Sequence, residues 1–324
     1  MTLFNTSVSV DIDKAIEWLT KGECVAIPTE TVYGLAANAY HPEAIAKIFE
    51  IKQRPKFDPL IVHTDSIDKL HSIVTDIPER AMRLANKFWP GPLTLLLPKS
   101  DRISDLITSG LETVAVRIPN HPMTLALLSK LDFPIAAPSA NPFGYISPTS
   151  PNHVLKQLKG KIPMILNGGN CMVGIESTII GFQDDEPVIY RLGGLPLEAI
   201  EQCVGKLKVM PFSSSQPKSP GMLASHYAPR KKLYFHDLSS CLNNFLPLEV
   251  GVIAFDKFNP SFPEENQILL SPEGNLLEAA AQLFSSMRNL DESKLKAIYA
   301  ESFPQYSLGL AINDRLSRAS VREQ

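Results

Sequence analysis

Short apolar segments alternate with amphipathic segments along most of this chain, and this alternation constrains its fold more than any other feature. Apolar runs of three to six residues predict buried strands before residue 211, at 24–28, 60–62, 93–97, 113–118, 134–137, 163–166, 177–181 and 187–190. Apolar residues that recur every three to four positions predict helices at 43–51, 79–88, 121–130 and 151–158, and one more that Asp11 caps. Interleaved strands and helices indicate an α/β fold in which helices cover part of a sheet.

A serine- and proline-rich segment interrupts this alternation. Residues 211–222 read PFSSSQPKSPGM and lack apolar periodicity, which is typical of a linker that proline partly stiffens. Beyond it, strands are predicted at 232–235, 250–254 and 296–299, and helices at 275–289 and 308–319. The sequence therefore predicts a larger α/β domain over 1–204, a linker over 205–231, and a smaller C-terminal α/β domain over 232–324 with a Rossmann-like βαβ sheet.

Composition and charge exclude several classes of protein. With 44% apolar and 20% charged residues, this chain of 324 residues is expected to bury a sizeable core rather than to remain disordered. No apolar run approaches the roughly 18 residues that span a bilayer, and the N-terminus lacks a secretory pattern, so we expect a cytoplasmic protein without a membrane partner. The four cysteines do not form a CxxC zinc pattern. The net charge of -3 argues against strong binding to a nucleic-acid backbone.

Five polar segments follow or end predicted strands, where open α/β sheets bind their ligands. They read PTETVYGLAANA (28–39), KQRPKFDPLIVH (52–63), TVAVRIPNHP (113–122), APSANPFGYISPTS (137–150), and NGGNCMVGIESTI through YRLGG (167–194). Several have an ordinary structural interpretation as well. The first fits a cap between a strand and a helix, the second a solvated basic loop, and the fourth a polar loop.

Arg117 lies within an otherwise apolar strand, and a buried arginine without a partner is very costly. Its partner is therefore either a carboxylate of this chain or a bound anion. Arg117 joins Lys52, Arg54 and Arg191 in a set of cations. The same segments contain many hydroxyls and few general bases, and this combination suits a reaction at phosphorus. The chain has no GxxxxGK[ST], GxGxxG or GxSxG motif, so neither a P-loop nor a Ser-His-Asp hydrolase is indicated.

These segments, together with FWPGPLTLLLP, SPGMLASHYAPR (219–230) and GLAINDRLSRAS (309–320), resemble the YrdC-like family in their order and number. Over nearly the whole chain, the resemblance is to the long, two-domain threonylcarbamoyl-AMP synthases. It implies a YrdC-like catalytic domain with a twisted mixed sheet around a concave cavity. It also implies a nucleotidyltransferase that forms L-threonylcarbamoyl-AMP and pyrophosphate from L-threonine, bicarbonate or CO2, and ATP, for the threonylcarbamoyladenosine next to the anticodon of tRNA. The implied partners are these substrates, a downstream tRNA threonylcarbamoyl transferase machinery and, weakly, tRNA itself.

The resemblance also implies roles for individual residues. The L-threonine pocket is expected to comprise Thr31, His63, Arg117, Ala137 and Ser177, with Arg117 paired to the α-carboxylate. The ATP site is expected to comprise Lys52, Arg54, Asp58, Thr113, Ser139, Ser147, Arg191 and, from the linker, Tyr227. Lys52 and Arg54 are the expected catalytic residues, because they would neutralise the phosphates. Mg²⁺ bound to ATP is the expected cofactor, and the carboxylate of Asp58 would repel phosphates unless Mg²⁺ bridges it.

Two other functions are compatible with these residues. An RNA-binding module of the same fold would use the concave surface without catalysis. A carbamoyltransferase of the same fold would carry acylphosphatase and zinc-finger regions, and paired CxxC motifs are not found in this sequence.

Overall fold

The computed structural model describes residues 3–210, 219–220 and 226–321, and two sheets organise this part of the chain. The larger sheet has eleven strands in the described residues: β1 Ser7–Ser9, β2 Val25–Ile27, β3 Gly34–Asn38, β4 Ile61–His63, β5 Leu93–Pro98, β6 Thr113–Arg117, β7 Ile135–Ala136, β8 Met164–Leu166, β9 Thr178–Gln183, β10 Glu186–Arg191 and β11 Lys208–Val209. Its helices are α1 Ile12–Thr20, α2 Pro42–Lys52, α3 Glu79–Phe88, α4 Asp105–Thr108, α5 Pro122–Lys130, α6 Pro151–Leu158 and α7 Leu197–Val204. The smaller unit contains β12 Lys232–Phe235, α8 Leu238–Asn244, β13 Val250–Ala254, β14 Gln267–Leu269, α9 Leu276–Glu292, β15 Ala297–Ala300 and α10 Leu308–Ala319.

The larger sheet is mixed, and its register decides which side chains meet. Its order is β1-β8-β2-β3-β7-β4-β6-β5-β9-β10-β11. Strands β4 and β6 are parallel neighbours that pair His63 with Arg117, so both side chains lie on the same face. Ala137 follows β7, which runs antiparallel to β4, and Ser177 directly precedes β9. The register therefore brings four distant segments onto one face at the centre of the sheet.

Residues 28–39 do not form the strand-to-helix cap that their pattern favours. Thr29 closes a turn instead, because its Oγ1 accepts hydrogen bonds from the backbone N–H groups of Thr31 at 3.1 Å and Val32 at 3.2 Å. Gly34 then begins β3, antiparallel to β2, and the helix starts only at Pro42. A Cβ at Gly34 would lie 3.1 Å from the Cβ of Ala137, so the absence of a side chain lets the two segments approach closely.

The smaller sheet confirms the predicted α/β class of the second domain. Its four strands in the described residues, in the order β12-β15-β13-β14, are all parallel, as expected of a Rossmann-like βαβ arrangement. Helix α9 is capped by Asn275, whose side chain accepts from the backbone N–H of Leu277 at 2.8 Å.

The two domains share a hydrophobic core next to the central face of the larger sheet. Val32, Ile146 and Ile175 of the first domain are clustered with apolar residues of α9 and α10, including Phe284 and Leu316. A side chain at Gly174 would place its Cβ 2.4 Å from the Cα of Ala281 in α9. The second domain therefore packs directly on the first, and the contact admits no side chain at this glycine.

The predicted linker is described only in part. Lys208 and Val209 form β11, which extends the larger sheet beside β10. Residues 211–218 and 221–225 lie outside the described part of the chain, while 219–220 and 226–231 lie inside it. None of the helices in the described residues is both long and apolar enough to cross a membrane.

Candidate active site

A cavity of about 600 Å³, partly open to solvent, lies on the central face of the larger sheet. Its wall is built from the polar segments that follow the strands: Thr29, Thr31, Val32, Gly34, Arg54, Pro59, Ile61, His63, Arg117, Ala137, Pro138, Ser139, Glu176, Ser177, Arg191, Pro220, His226 and Tyr227. All five residues of the expected L-threonine pocket, namely Thr31, His63, Arg117, Ala137 and Ser177, are among them.

Arg117 has an internal partner and faces the cavity as well. Its Nη2 lies 2.7 Å from Oε1 of Glu30, and its Nη1 donates to Oγ1 of Thr31 at 2.9 Å. Its Nε donates to the carbonyl of Gly91 at 3.1 Å. Of the two partners left open by the sequence, the carboxylate of this chain is therefore present. The anchored guanidinium still lines the cavity, where it presents a fixed positive charge.

His63 is neutral at physiological pH. Burial among apolar strands, with Arg117 beside it, lowers the pKa of the imidazole to about 3. The neutral ring lines the cavity, where it can hydrogen-bond to a ligand.

The lowered pKa of His63 predicts a pH-dependent contribution to stability. Between pH 3 and pH 6.5 the unfolded chain binds a proton at this residue and the folded chain does not. The free energy of unfolding therefore rises with pH in this window, with a slope from His63 of at most about 1.4 kcal/mol per pH unit. The excess stability of wild type over His63→Gln is expected to grow from pH 3 to 6.5 and then to level off. Urea unfolding at several pH values measures this difference, and one that did not vary with pH would contradict the assignment.

Arg54 enters the cavity from the loop after α2, and Asp58 holds it there. Its Nη2 lies 2.8 Å from Oδ2 of Asp58 and donates to the carbonyl of Pro59 at 2.8 Å. The side chain of Asp58 is fully buried behind Arg54 and is not part of the cavity wall. Asp58 therefore has a cation of this chain as its partner, and no bridging Mg²⁺ is needed to explain its burial.

Lys52 is the last residue of α2, and its ammonium group is almost fully buried. Its Nζ donates to the carbonyls of Ser139, at 2.5 Å, and Asn141, at 2.6 Å. Burial and the nearby Arg54 guanidinium lower its pKa well below the usual value. Lys52 thus lies behind the cavity wall and supports the loop that carries Ser139.

Arg191 ends β10 and lines the cavity without a carboxylate partner in the described part of the chain. Its Nε donates to the carbonyl of Ser177 at 3.0 Å, and its Nη2 to the hydroxyl of Ser177 at 3.0 Å. The hydroxyl of Ser177 also lies 2.7 Å from Oγ1 of Thr94. Burial lowers the pKa of Arg191 to about 10, which leaves it charged at neutral pH. The carboxylate of Glu176 is close enough to raise this pKa, but the hydrogen bonds of the guanidinium in the described residues go to neutral groups, so it remains suited to bind an anion.

Four residues of the expected ATP site have other surroundings. Ser147 is buried and donates to Oε1 of Glu176 at 2.6 Å, while Asp58 and Lys52 lie behind the wall as described. Thr113 lies at the opposite end of β6 from Arg117, in a separate surface depression with Leu96 and Tyr190. Arg54, Ser139, Arg191 and Tyr227 do line the cavity.

Several residues at the cavity were not predicted as site residues. Glu30 and Glu176 each directly precede a predicted residue, Thr31 or Ser177, but only the folded chain shows that they pair with buried arginines. His226, next to Tyr227, lies against Phe143 with ring centroids 5.8 Å apart. Arg315, in α10 of the second domain, reaches Glu176 at 3.0 Å. Adjacency to a motif residue was the one signal available for Glu30, Glu176 and His226.

The carboxylates around the cavity do not form a metal site. Glu30, Asp58 and Glu176 each pair with an arginine. No group of three or more histidine, cysteine, aspartate or glutamate residues in the described ranges is arranged to hold a metal ion. A divalent cation would therefore have to be held mainly by its ligand's oxygens and water, as Mg²⁺ commonly is on nucleoside triphosphates.

Two family models match the chain. Residues 17–193 match the Sua5/YciO/YrdC family, described as "Telomere recombination". Residues 195–321 match the "Threonylcarbamoyl-AMP synthase, C-terminal domain". The first match ends at residue 193 and the second begins at residue 195.

Proteins of known name and structure are similar over almost the full length. A threonylcarbamoyl-AMP synthase of Bacillus subtilis (strain 168) is 42% identical over 320 residues, which cover 95% of this chain and 92% of the relative. One of Pyrococcus abyssi is 41% identical, covering 94% and 93%. The crystal structure of P. abyssi Sua5 complexed with L-threonine matches with a TM-score of 0.89 at 39% identity, covering 97% of this chain and 98% of that one.

The fold of the first domain is shared more widely. A full-length HypF structure in the phosphate- and nucleotide-bound form matches 57% of this chain at 23% identity, with a TM-score of 0.51. At this identity the likeness concerns the fold alone. The matches that also cover the second domain distinguish this family from proteins that share only the fold of the first domain. With two family models that together cover nearly the whole chain and relatives above 40% identity along its length, this protein belongs to the threonylcarbamoyl-AMP synthase family, in its two-domain form.

Proposed function

We propose that this enzyme forms L-threonylcarbamoyl-AMP and pyrophosphate from L-threonine, bicarbonate or CO2, and ATP. The observation that carries the proposal is the convergence of Arg54, Arg117 and Arg191 on one cavity together with hydroxyls and a neutral histidine. A cavity of this kind suits a small amino acid at one end and phosphates at the other. The proposal extends to this chain what the names of its relatives say of them.

The balance of charge supports a nucleotide as one ligand. Five buried guanidinium groups lie at or behind the cavity in the described residues: Arg54, Arg117, Arg191, Arg315 and Arg318. Four carboxylates accompany them, namely Glu30, Asp58, Glu176 and Asp314. The excess of positive charge favours an anionic ligand, and low local dielectric strengthens the attraction.

The amino-acid end supports L-threonine. We assign the α-carboxylate to Arg117, which Glu30 and Thr31 hold in a fixed orientation. Ala137 offers an apolar surface for the methyl group, and the neutral ring of His63 offers a hydrogen bond to the hydroxyl or amine. Serine would lose the methyl contact.

The reaction requires positioning and charge neutralisation more than covalent catalysis. The threonine amine, as the free base, adds CO2 and loses a proton to give a carbamate. One carbamate oxygen then bonds to the α-phosphorus of ATP, and the bond from that phosphorus to the bridging oxygen of the β-phosphate breaks, so pyrophosphate leaves. Arg54 and Arg191 hold the negative charge on the phosphates, while Lys52 supports the loop that presents Ser139. Mg²⁺ carried by ATP would neutralise further phosphate charge.

The product is a mixed anhydride, so a downstream enzyme must accept the threonylcarbamoyl group before water does. We infer that a tRNA threonylcarbamoyl transferase uses it to modify the adenosine next to the anticodon, with weak contact of tRNA to this chain at most. We place the reaction in the cytoplasm, which the four free cysteines suit.

The proposal predicts pyrophosphate release that depends on all three substrates. Omission of ATP, L-threonine or bicarbonate is expected to reduce release to background in a coupled pyrophosphate assay. Replacement of threonine with serine is expected to lower kcat/KM roughly fivefold or more, because a lost methyl contact is worth about 1 kcal/mol or more. Release that continues without threonine would contradict the proposed substrate, and an equal kcat/KM for serine would contradict the pocket.

A further inference from the structure

Tyr227 is part of the cavity wall, yet most of what it touches belongs to the second domain. It is about 1% exposed and has a φ of 65°, a left-handed conformation that few residues other than glycine adopt. Its ring stacks on Phe284 of α9 with centroids 5.5 Å apart. The guanidinium groups of Arg315 and Arg318 lie 5.4 and 4.8 Å from the ring centroid, within cation–π range. The second domain therefore fixes this residue in place.

Arg315 connects Tyr227 with Glu176, a part of the cavity wall that the first domain supplies. Its Nε lies 3.0 Å from Oε2 of Glu176, which lines the cavity and also accepts a hydrogen bond from Ser147. Its Nη1 lies 2.6 Å from Oδ2 of Asp314, the residue before it in α10. The side chain is fully buried, so separating the domains would break a buried ion pair as well as the ring contact.

We propose that Arg315 is a positioning residue that holds Tyr227 closed over the bound substrates by tying α10 of the second domain to Glu176 of the cavity wall. This inference rests on the proposed function, in which close packing of Tyr227 over the substrates has a chemical purpose. The carbamate and the mixed anhydride both react with water, and closure excludes water from them. The second domain then acts as a component of the active site.

If Tyr227 is held less firmly, two quantities are expected to change independently of each other, whereas an enzyme that was simply damaged would lose both. One is the rate of pyrophosphate release, and the other is the yield of intact L-threonylcarbamoyl-AMP per pyrophosphate. Arg315→Met keeps the length and packing of the side chain but removes the charge, the ion pair and the cation–π contact. In this variant the ratio of pyrophosphate to intact product is expected to rise at least threefold, and KM for ATP to rise about tenfold. Arg315→Lys keeps a charge near Glu176. It is expected to bring the ratio of pyrophosphate to intact product and the KM for ATP part of the way back to their wild-type values.

Arg288→Met is the matched control. Arg288 is also buried, lies in α9 of the second domain, and donates across the same interface to the carbonyls of Ser147 and Ile146. It contacts neither Glu176 nor Tyr227 in the described residues. Its substitution is expected to lower the melting temperature about as much as Arg315→Met does, while the ratio of pyrophosphate to intact product stays at the wild-type value.

Glu176→Gln tests the same connection from the cavity side. Because this variant and Arg315→Met break one ion pair, the double variant is expected to show nearly the same ratio as either single variant. The proposal is overturned if Arg315→Met keeps the wild-type ratio, or if Arg288→Met raises the ratio equally. A wild-type protein that released no pyrophosphate would instead refute the proposed function, so the two failures are distinguishable.

Discussion

Pyrophosphate release is expected to fall about a thousandfold when Arg191 is replaced with methionine. The guanidinium of Arg191 is buried in the cavity wall, and its partners are the backbone and hydroxyl oxygens of Ser177 and the carbonyl of Pro220. A positive charge whose hydrogen bonds in the described residues go to neutral groups gains when an anion binds, and gains most when negative charge accumulates on phosphates in the transition state. Replacing Arg191 therefore removes stabilisation that the wild-type enzyme gives mainly to the transition state.

The same substitution is not expected to destabilise the folded chain. Burying an arginine without a carboxylate costs free energy, so an apolar side chain of similar length is expected to leave the free energy of unfolding unchanged or to raise it. Urea unfolding and the pyrophosphate assay on one preparation separate the two effects. Arg191→Lys retains the charge without the planar fork and is expected to recover only part of the rate. A methionine variant within tenfold of wild-type turnover would show that Arg191 does not contact the phosphates.

Glu30→Gln is expected to have the largest effect on stability, lowering the free energy of unfolding by about 3 kcal/mol or more. The side chains of Glu30 and Arg117 are 7% and 4% exposed, and their charged atoms lie 2.7 Å apart. Glutamine is nearly isosteric with glutamate, so packing is preserved and the loss reports on the charge. Without Glu30, the buried guanidinium of Arg117 has no ion-pair partner among the residues that the structure describes.

L-Threonine is expected to restore part of this loss, because its α-carboxylate can replace Glu30 as the anion beside Arg117. The rise in melting temperature at saturating threonine is therefore expected to be larger in Glu30→Gln than in wild type. The double variant Glu30→Gln/Arg117→Met serves as the control, since it lacks both charges and is expected to show little threonine effect. Equal shifts in wild type and Glu30→Gln would contradict the assignment of the carboxylate to Arg117.

The cations of this site fall into two groups that the sequence does not distinguish. Arg54 and Arg117 are each fixed by a buried carboxylate, whereas Lys52 and Arg191 are held by neutral oxygens. The first pair is held in orientation by ion pairs, whereas Lys52 supports the loop of Ser139 and Arg191 presents a guanidinium that is hydrogen-bonded to neutral groups. This division follows from which residues meet across the sheet, and it explains why Asp58 can stand beside a phosphate site.

Much of the fold was predictable because its signals are local. The strands at 93–97 and 250–254 and the helix at 308–319 are long, regular apolar patterns, and the structure has them within a residue or two. The strand Gly34–Asn38 was missed because its small residues resemble a turn, and its burial depends on Ala137, a hundred residues away. The shortest elements, such as Ser7–Ser9 and Lys208–Val209, have too few residues to show a period.

The sequence by itself determined the α/β class, the two units and the residue types available for binding phosphates and an amino acid, because periodicity and motif order are properties of neighbouring residues. Only the tertiary structure decided that Glu30 holds Arg117, that Asp58 holds Arg54, and that Lys52 lies behind the wall rather than in it. It also placed Arg315 of the second domain against Glu176 of the first. The physical reason is that a buried charge is paired with a residue that is near in space and often distant in sequence. Strand register and domain packing bring the two residues together, and the local sequence around either residue does not encode them.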